Sequence, residues 1–185
     1  MSATPRMRRE DKTMAEERML ATLAQGFCGR LATISPDGYP YCVPLLYVWM
    51  DGEIFLHNTS AQGHLRMNVD HSPLVCFEMD EPGDVFPYGR FECDTSVAFR
   101  SVIAFGKIRV IEDRNAKQRF FEALMAKYAR ESWERPKDFF PRIDQVTLYA
   151  IAVERMTGKE TPLPVLSEQW PALDRTKSPN ARQTG

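Results

Sequence analysis

Three histidines, His57, His64 and His71, recur at intervals of seven residues, and four cysteines, Cys28, Cys42, Cys76 and Cys93, are spread widely. A structural metal site needs closely paired ligands. Neither set supplies a C-x-x-C or a short Cys/His pair, so no metal centre is expected. Each cysteine lies in or beside an apolar run, where a reduced, buried, inert thiol is the common outcome. The glycine patterns of dinucleotide and Walker loops, the G-x-S-x-G elbow and the H-E-x-x-H zinc motif are all missing.

What remains is a positional cluster. Arg30 and Thr33 fall on a first predicted strand, Pro44 and Leu45 on a second, and His57, Asn58, Thr59 and Ser60 at the end of a third. Gly63, His64 and Arg66 begin a short predicted helix. In a meander neighbouring strand ends converge, so these groups could line one cleft. A helix opening presents unpaired N–H groups at the positive end of its dipole, which suits an anion such as phosphate. The plainer alternative makes Thr59 and Ser60 simple helix caps and Arg66 a solvated side chain.

The elements that must position this cluster follow from patterning. Thr13-Met14-Ala15-Glu16 fits a capping box ahead of a helix over about 14–25, stopped at Gly26. Cys28 to Ile34 reads as a strand ended by Ser35-Pro36-Asp37-Gly38, which is turn chemistry. Tyr41 to Met50 reads as one strand interrupted by Pro44, which cannot donate to a ladder. Asp51-Gly52 signals a hairpin into Glu53–Asn58. A short helix over 60–68, a strand over 74–78 and a long loop over 80–95 follow. Then come an extended strand over 96–111, a helix from Asp113 or Asn115 to about Ala129, and a last strand over 146–153. On that second long helix Phe120, Phe121, Leu124, Met125 and Tyr128 form one stripe. About six antiparallel strands with packed helices predict a mostly β barrel rather than a parallel sheet.

The chain has 185 residues, 24 Lys and Arg against 25 Asp and Glu, and a net charge of -1. That length suits one domain with a core. The balance speaks against a nucleic-acid or anionic-membrane partner held by bulk charge. No apolar run of about 18 residues suggests a membrane span, and the charged start lacks a signal-peptide stretch, so a cytoplasmic location is expected. The expected organisation is a mobile arm over 1–12, a barrel domain over 13–156 and an extended Pro-rich tail over 157–185.

Gly29-Arg30-Leu31-Ala32-Thr33, Val43-Pro44-Leu45-Leu46-Tyr47 and Asp51-Gly52-Glu53-Ile54-Phe55-Leu56-His57 come in a familiar order. They continue with Gly63-His64, Ser72-Pro73-Leu74-Val75-Cys76-Phe77-Glu78 and Ser101-Val102-Ile103-Ala104-Phe105-Gly106-Lys107-Ile108. Over about residues 13–155 the chain resembles the pyridoxamine 5'-phosphate oxidase-like, FMN-binding split-barrel superfamily, nearest to its nitroimidazole-resistance branch. The resemblance implies a six-stranded split barrel forming a homodimer, with FMN at the subunit interface and a small organic, nitroaromatic-type substrate. It implies that Arg30, Leu31, Ala32, Thr33, Pro44 and Leu45 run past the flavin ring. His57, Asn58, Thr59, Ser60, Gly63 and His64 would approach the ribityl and phosphate, and Ser101 and Val102 would add contacts. Trp170 would either cover the partner's cofactor or anchor the tail on its own subunit. Relatives often carry a basic residue two positions after the phosphate-loop glycine; this chain has Leu65, leaving His64 or Arg66 to supply the charge. The same barrel also implies an alternative, a haem-binding protein with His57 or His64 as axial ligand, or a non-catalytic cofactor binder.

Overall fold

The computed structural model describes residues 7–89, 91–134 and 136–166. Helix α1 (Glu16–Gln25) is followed by strands β1 (Gly29–Ile34), β2 (Pro40–Leu45), β3 (Tyr47–Met50) and β4 (Glu53–Thr59). Helix α2 (His64–His71) leads into β5 (Leu74–Pro87) and β6 (Thr95–Ile111), then α3 (Arg114–Tyr128) and β7 (Val146–Thr161). All strand pairs are antiparallel, in one seven-stranded sheet of order β2-β1-β5-β6-β7-β4-β3.

That order corrects the meander. The stretch 41–50 is two strands, and β2 and β3 lie at opposite edges of the sheet. Only Leu46 separates them in the chain. Six strand spacings of about 4.8 Å would put flat edges roughly 29 Å apart, whereas residues two apart reach about 7 Å at most. The sheet must therefore curl until its edges meet at Leu46, and since β2 and β3 do not pair, the barrel is split.

The core follows the alternation of side chains along the curled strands. Leu31, Tyr47, Ile54, Leu56, Phe77, Val102, Ala104 and Tyr149 fill the interior with α1's Leu23. Val48, Phe55, Leu148 and Ala150 point outward, where α3 covers them with Phe120 and Leu124. Of the expected α3 stripe, Phe120 and Leu124 are buried and Phe121 and Tyr128 pack at the edge, while Met125 is exposed. Asp113 caps α3 by accepting from the Ala116 N–H, as the position of an Asp before the helix suggests.

Several local expectations are corrected. No capping box forms: α1 opens at Ala15 without a side-chain cap, and Thr13 instead bridges Lys159 of β7. Residues 80–87 are not loop but the end of β5, paired with β6 through a register shift between Pro82 and Val85. The final strand runs to Thr161 rather than Val153, so the barrel includes residues assigned to the tail. Glu10–Lys12 forms a 3-10 turn within the expected arm. None of the cysteines is buried: Cys28 and Cys76 are half-buried, Cys42 and Cys93 exposed, and all four are free thiols. Trp170, Pro171 and Pro179 lie outside the described residues. Among the described residues no helix is long and apolar enough to cross a membrane, and no group of His, Cys, Asp and Glu is placed to hold a metal.

Candidate functional site

The curled sheet separates the residues that a meander would have gathered. Arg30 points to the outer face of β1, where it pairs with Asp80 and, at 3.4 Å, with Glu78 of β5. Burial and the neighbouring Asp80 raise the Glu78 pKa. Leu31 and Val102 are fully buried in the core. Ala32 sits on the outer face between Cys42 and Cys76. Pro44 lies opposite Arg30, and Leu45 lies opposite Gly29 and packs on the core. Ser101 pairs with Asp80 and Lys159 in the strand register.

His57 lies on the outer face of β4 and packs beneath α3. Its ring meets Phe120 and Phe121 edge-on at 5.3 and 5.2 Å. Burial lowers its pKa, and its Nδ1 has no hydrogen-bond partner. Successive strand residues face opposite ways, so Asn58 does not share that surface; its buried Oδ1 also lacks a partner.

A different set converges at the opening of α2. The His64 ring stacks on Tyr41 with centroids 4.1 Å apart, and its Nε2 shares a 2.9 Å hydrogen bond with the Ser35 hydroxyl. Behind it the Asn68 amide donates to Thr33 Oγ1 at 2.9 Å, and Thr33 donates to the Tyr41 carbonyl at 3.4 Å. Thr33, Ser35 and Asn68 are all buried. The β1–β2 turn and α2 are thus joined by polar bonds, with His64 at the solvent edge.

The helix opening itself is bare. Gly63 occupies the cap position, and no side chain caps α2. A Cβ added at Gly63 would meet nothing within 4 Å. Thr59 and Ser60 do not cap the helix; Thr59 pairs with Val146, and the Ser60 N–H donates to the Gln145 carbonyl. The first N–H groups of a helix have no partner within it. Here no side chain of the described residues caps them and an imidazole stands beside them, the kind of opening that suits an anion. Side-chain charge is sparse: Arg66 is engaged by Asp70 at 2.8 Å, and Leu65 is buried in the core. The phosphate fit rests on backbone donors and His64.

Ser35, Tyr41 and Asn68 were missed by sequence reasoning. Asn68 did leave a signal, because a polar residue between Leu65 and Val69 lies on the apolar side of α2 and must find a buried partner. Ser35 left none beyond its turn.

Comparison with solved structures gives matches at low identity. A protein from Bacteroides thetaiotaomicron assigned to 5-nitroimidazole antibiotic resistance is 22% identical, with a TM-score of 0.65 over 80% of this chain and 85% of that one. The flavocytochrome Anf3 from Azotobacter vinelandii is 17% identical, with a TM-score of 0.71 over 88% and 76%. The FAD and haem binding protein from Mycobacterium smegmatis is 19% identical, with a TM-score of 0.69 over 86% and 78%. These likenesses establish the split-barrel fold. No curated protein matches the sequence. The family model described as pyridoxamine 5'-phosphate oxidase matches residues 15–160, nearly the whole barrel, and the chain belongs to that family.

Proposed function

We propose that this chain binds FMN with the phosphate at the α2 opening and serves as a flavin-dependent oxidoreductase for a small organic compound. The observation that carries this reading is the uncapped α2 N-terminus at Gly63, with a free Cβ position at that glycine and His64 beside it. Family membership and flavin-binding neighbours support it, and the Bacteroides neighbour suggests nitroaromatic compounds as the substrate class. A bound flavin would supply the redox chemistry, leaving the protein to hold, orient and shield it. The Ser35 hydrogen bond and the stacked Tyr41 ring hold the His64 ring at the opening.

A homodimer is part of the same reading. Among the described residues no helix covers the outer face of β2, β1 and β5, and Ile34 and Leu74 there are 43% and 57% exposed. Uncovered apolar surface of this kind suits a second copy of the chain.

The absorption spectrum of the purified protein, followed by FMN titration, tests the flavin. Paired flavin bands or saturable FMN uptake is expected, and His64→Ala should weaken that uptake. A colourless protein that takes up no FMN would overturn the reading. Sedimentation should give twice the chain mass.

A haem-binding reading is favoured by one observation, the partnerless Nδ1 of His57 in an aromatic pocket. An intense Soret band that His57→Phe abolishes would support it.

A further inference from the structure

The segment after α3 folds back on the helix and bounds a recess of about 770 Å³, a volume that takes a drug-sized molecule. Met125, Ala126 and Ala129 of α3 form one wall, and Trp133, Phe139 and Phe140 the other. Phe140 stacks on Phe121 at 5.4 Å with the planes 30° apart, and Phe121 packs against His57. The second wall is therefore tied to the barrel through rings. Trp133 and Phe139 nevertheless stay 43% and 64% exposed, so they present ring surface to the recess rather than filling a core.

Three features of the lining share one electrostatic sign. Glu122, Glu131 and Asp138 outnumber Arg130 and Lys137, and no ion pair among the described residues neutralises Glu131 or Asp138. The last turn of α3 ends here, and its terminal carbonyls carry the negative end of the helix dipole. Aromatic ring faces also attract cations.

We propose that this recess is a binding site for a planar aromatic cation, a fused-ring or heteroaromatic compound carrying a positive charge, separate from the α2 opening. The aromatic wall supplies stacking area, and the carboxylates and helix end supply the charge preference. The site does not depend on flavin binding elsewhere in the chain.

Titration of the full chain with proflavine, a cationic acridine, and separately with the anionic dye 1-anilinonaphthalene-8-sulfonate tests the assignment. One proflavine per chain should bind saturably, at least about tenfold tighter than the anion, a difference of about 1.4 kcal/mol. Ala126→Trp fills the recess and should weaken proflavine at least about tenfold. The double change Glu131→Gln with Asp138→Asn alters only exposed side chains, so it keeps the test open should Ala126→Trp fail to fold. It should shrink the cation preference to about threefold or less while leaving FMN uptake unchanged. Equal or tighter binding of the anion, an unchanged preference in the double variant, or no saturable proflavine binding would overturn the proposal. Displacement of proflavine by excess FMN would also overturn it, because the dye would then occupy a flavin site.

Discussion

The Lys127 ammonium lies 3.9 Å from the centre of the Tyr47 ring and donates to the Tyr47 carbonyl at 3.2 Å. Tyr47 is the first residue beyond the single-residue crossing between the barrel's edges. The neighbouring Tyr128 hydroxyl donates to the same carbonyl at 2.9 Å and accepts from the Tyr47 N–H at 3.3 Å. Inside, the Tyr47 hydroxyl donates to the Leu23 carbonyl at the end of α1. The last turn of α3 therefore clamps the point where the sheet jumps from one edge to the other.

Burial lowers the Lys127 pKa from 10.5 to about 8. Between those values the unfolded chain holds the proton and the folded chain does not, so stability contributed by this group rises with pH across that window. Urea midpoints at pH 7.5 and 9.5 should show the native chain gaining on Lys127→Met as pH rises. Equal behaviour of the two proteins would mean that the Tyr47 ring and carbonyl retain the proton against burial.

His57 gives the same sign at lower pH. Its pKa is depressed below 6.5 by burial under Phe120 and Phe121. Its neutral form is favoured in the fold, so its contribution is complete above the unfolded value and is lost as pH falls through 6.5 toward the folded value. Thermal melts at pH 7.5 and 5.5 should show a larger drop for the native chain than for His57→Phe. A parallel drop in both proteins would place the acid sensitivity elsewhere.

How much of this was legible depended on the range of the interactions. The Asp51-Gly52 hairpin is written locally, and both residues adopt the positive φ it requires, 53° and 77°. Asp113 announces α3 for the same reason. The break at Leu46 is invisible, because it is set by the choice of β1 as partner on one side and β4 on the other. Residues 80–95 read as loop from their two prolines and two glycines, yet over 80–87 pairing with β6 overrides that composition. In the site, His64 beside the α2 opening was foreseeable from position. Arg30 was not, because its partners Glu78 and Asp80 arrive about 50 residues later in the chain across the β1–β5 ladder.

Gly29 is held by contact rather than by dihedral freedom. A Cβ there would lie 2.0 Å from Phe77 Cζ, and the fully buried Phe77 ring packs edge-on against Tyr47 at 4.8 Å. Gly29→Ala should therefore destabilise the barrel by about 1–3 kcal/mol, the usual range for overpacking. Calorimetry would read this as a lowered melting temperature, and an unchanged one would show that the ring can shift without loss.

Leu65 stands two positions after Gly63, where the family resemblance implies a basic residue, which makes Leu65→Lys an informative change. Its side chain is 6% exposed and packs with Val69 and Val75 in the interior. A lysine there would bury an unpaired charge, and the loss should be about 3 kcal/mol or more, in the range of large core defects. FMN affinity should not improve, because the proposed phosphate site at the α2 opening would rely on backbone N–H groups and His64. Paired denaturant melts and FMN titrations check both halves of the expectation. Tighter FMN binding with unchanged stability would mean that α2 turns to bring position 65 to its opening, and the buried Asn68–Thr33 bond on the same helix would then have to break.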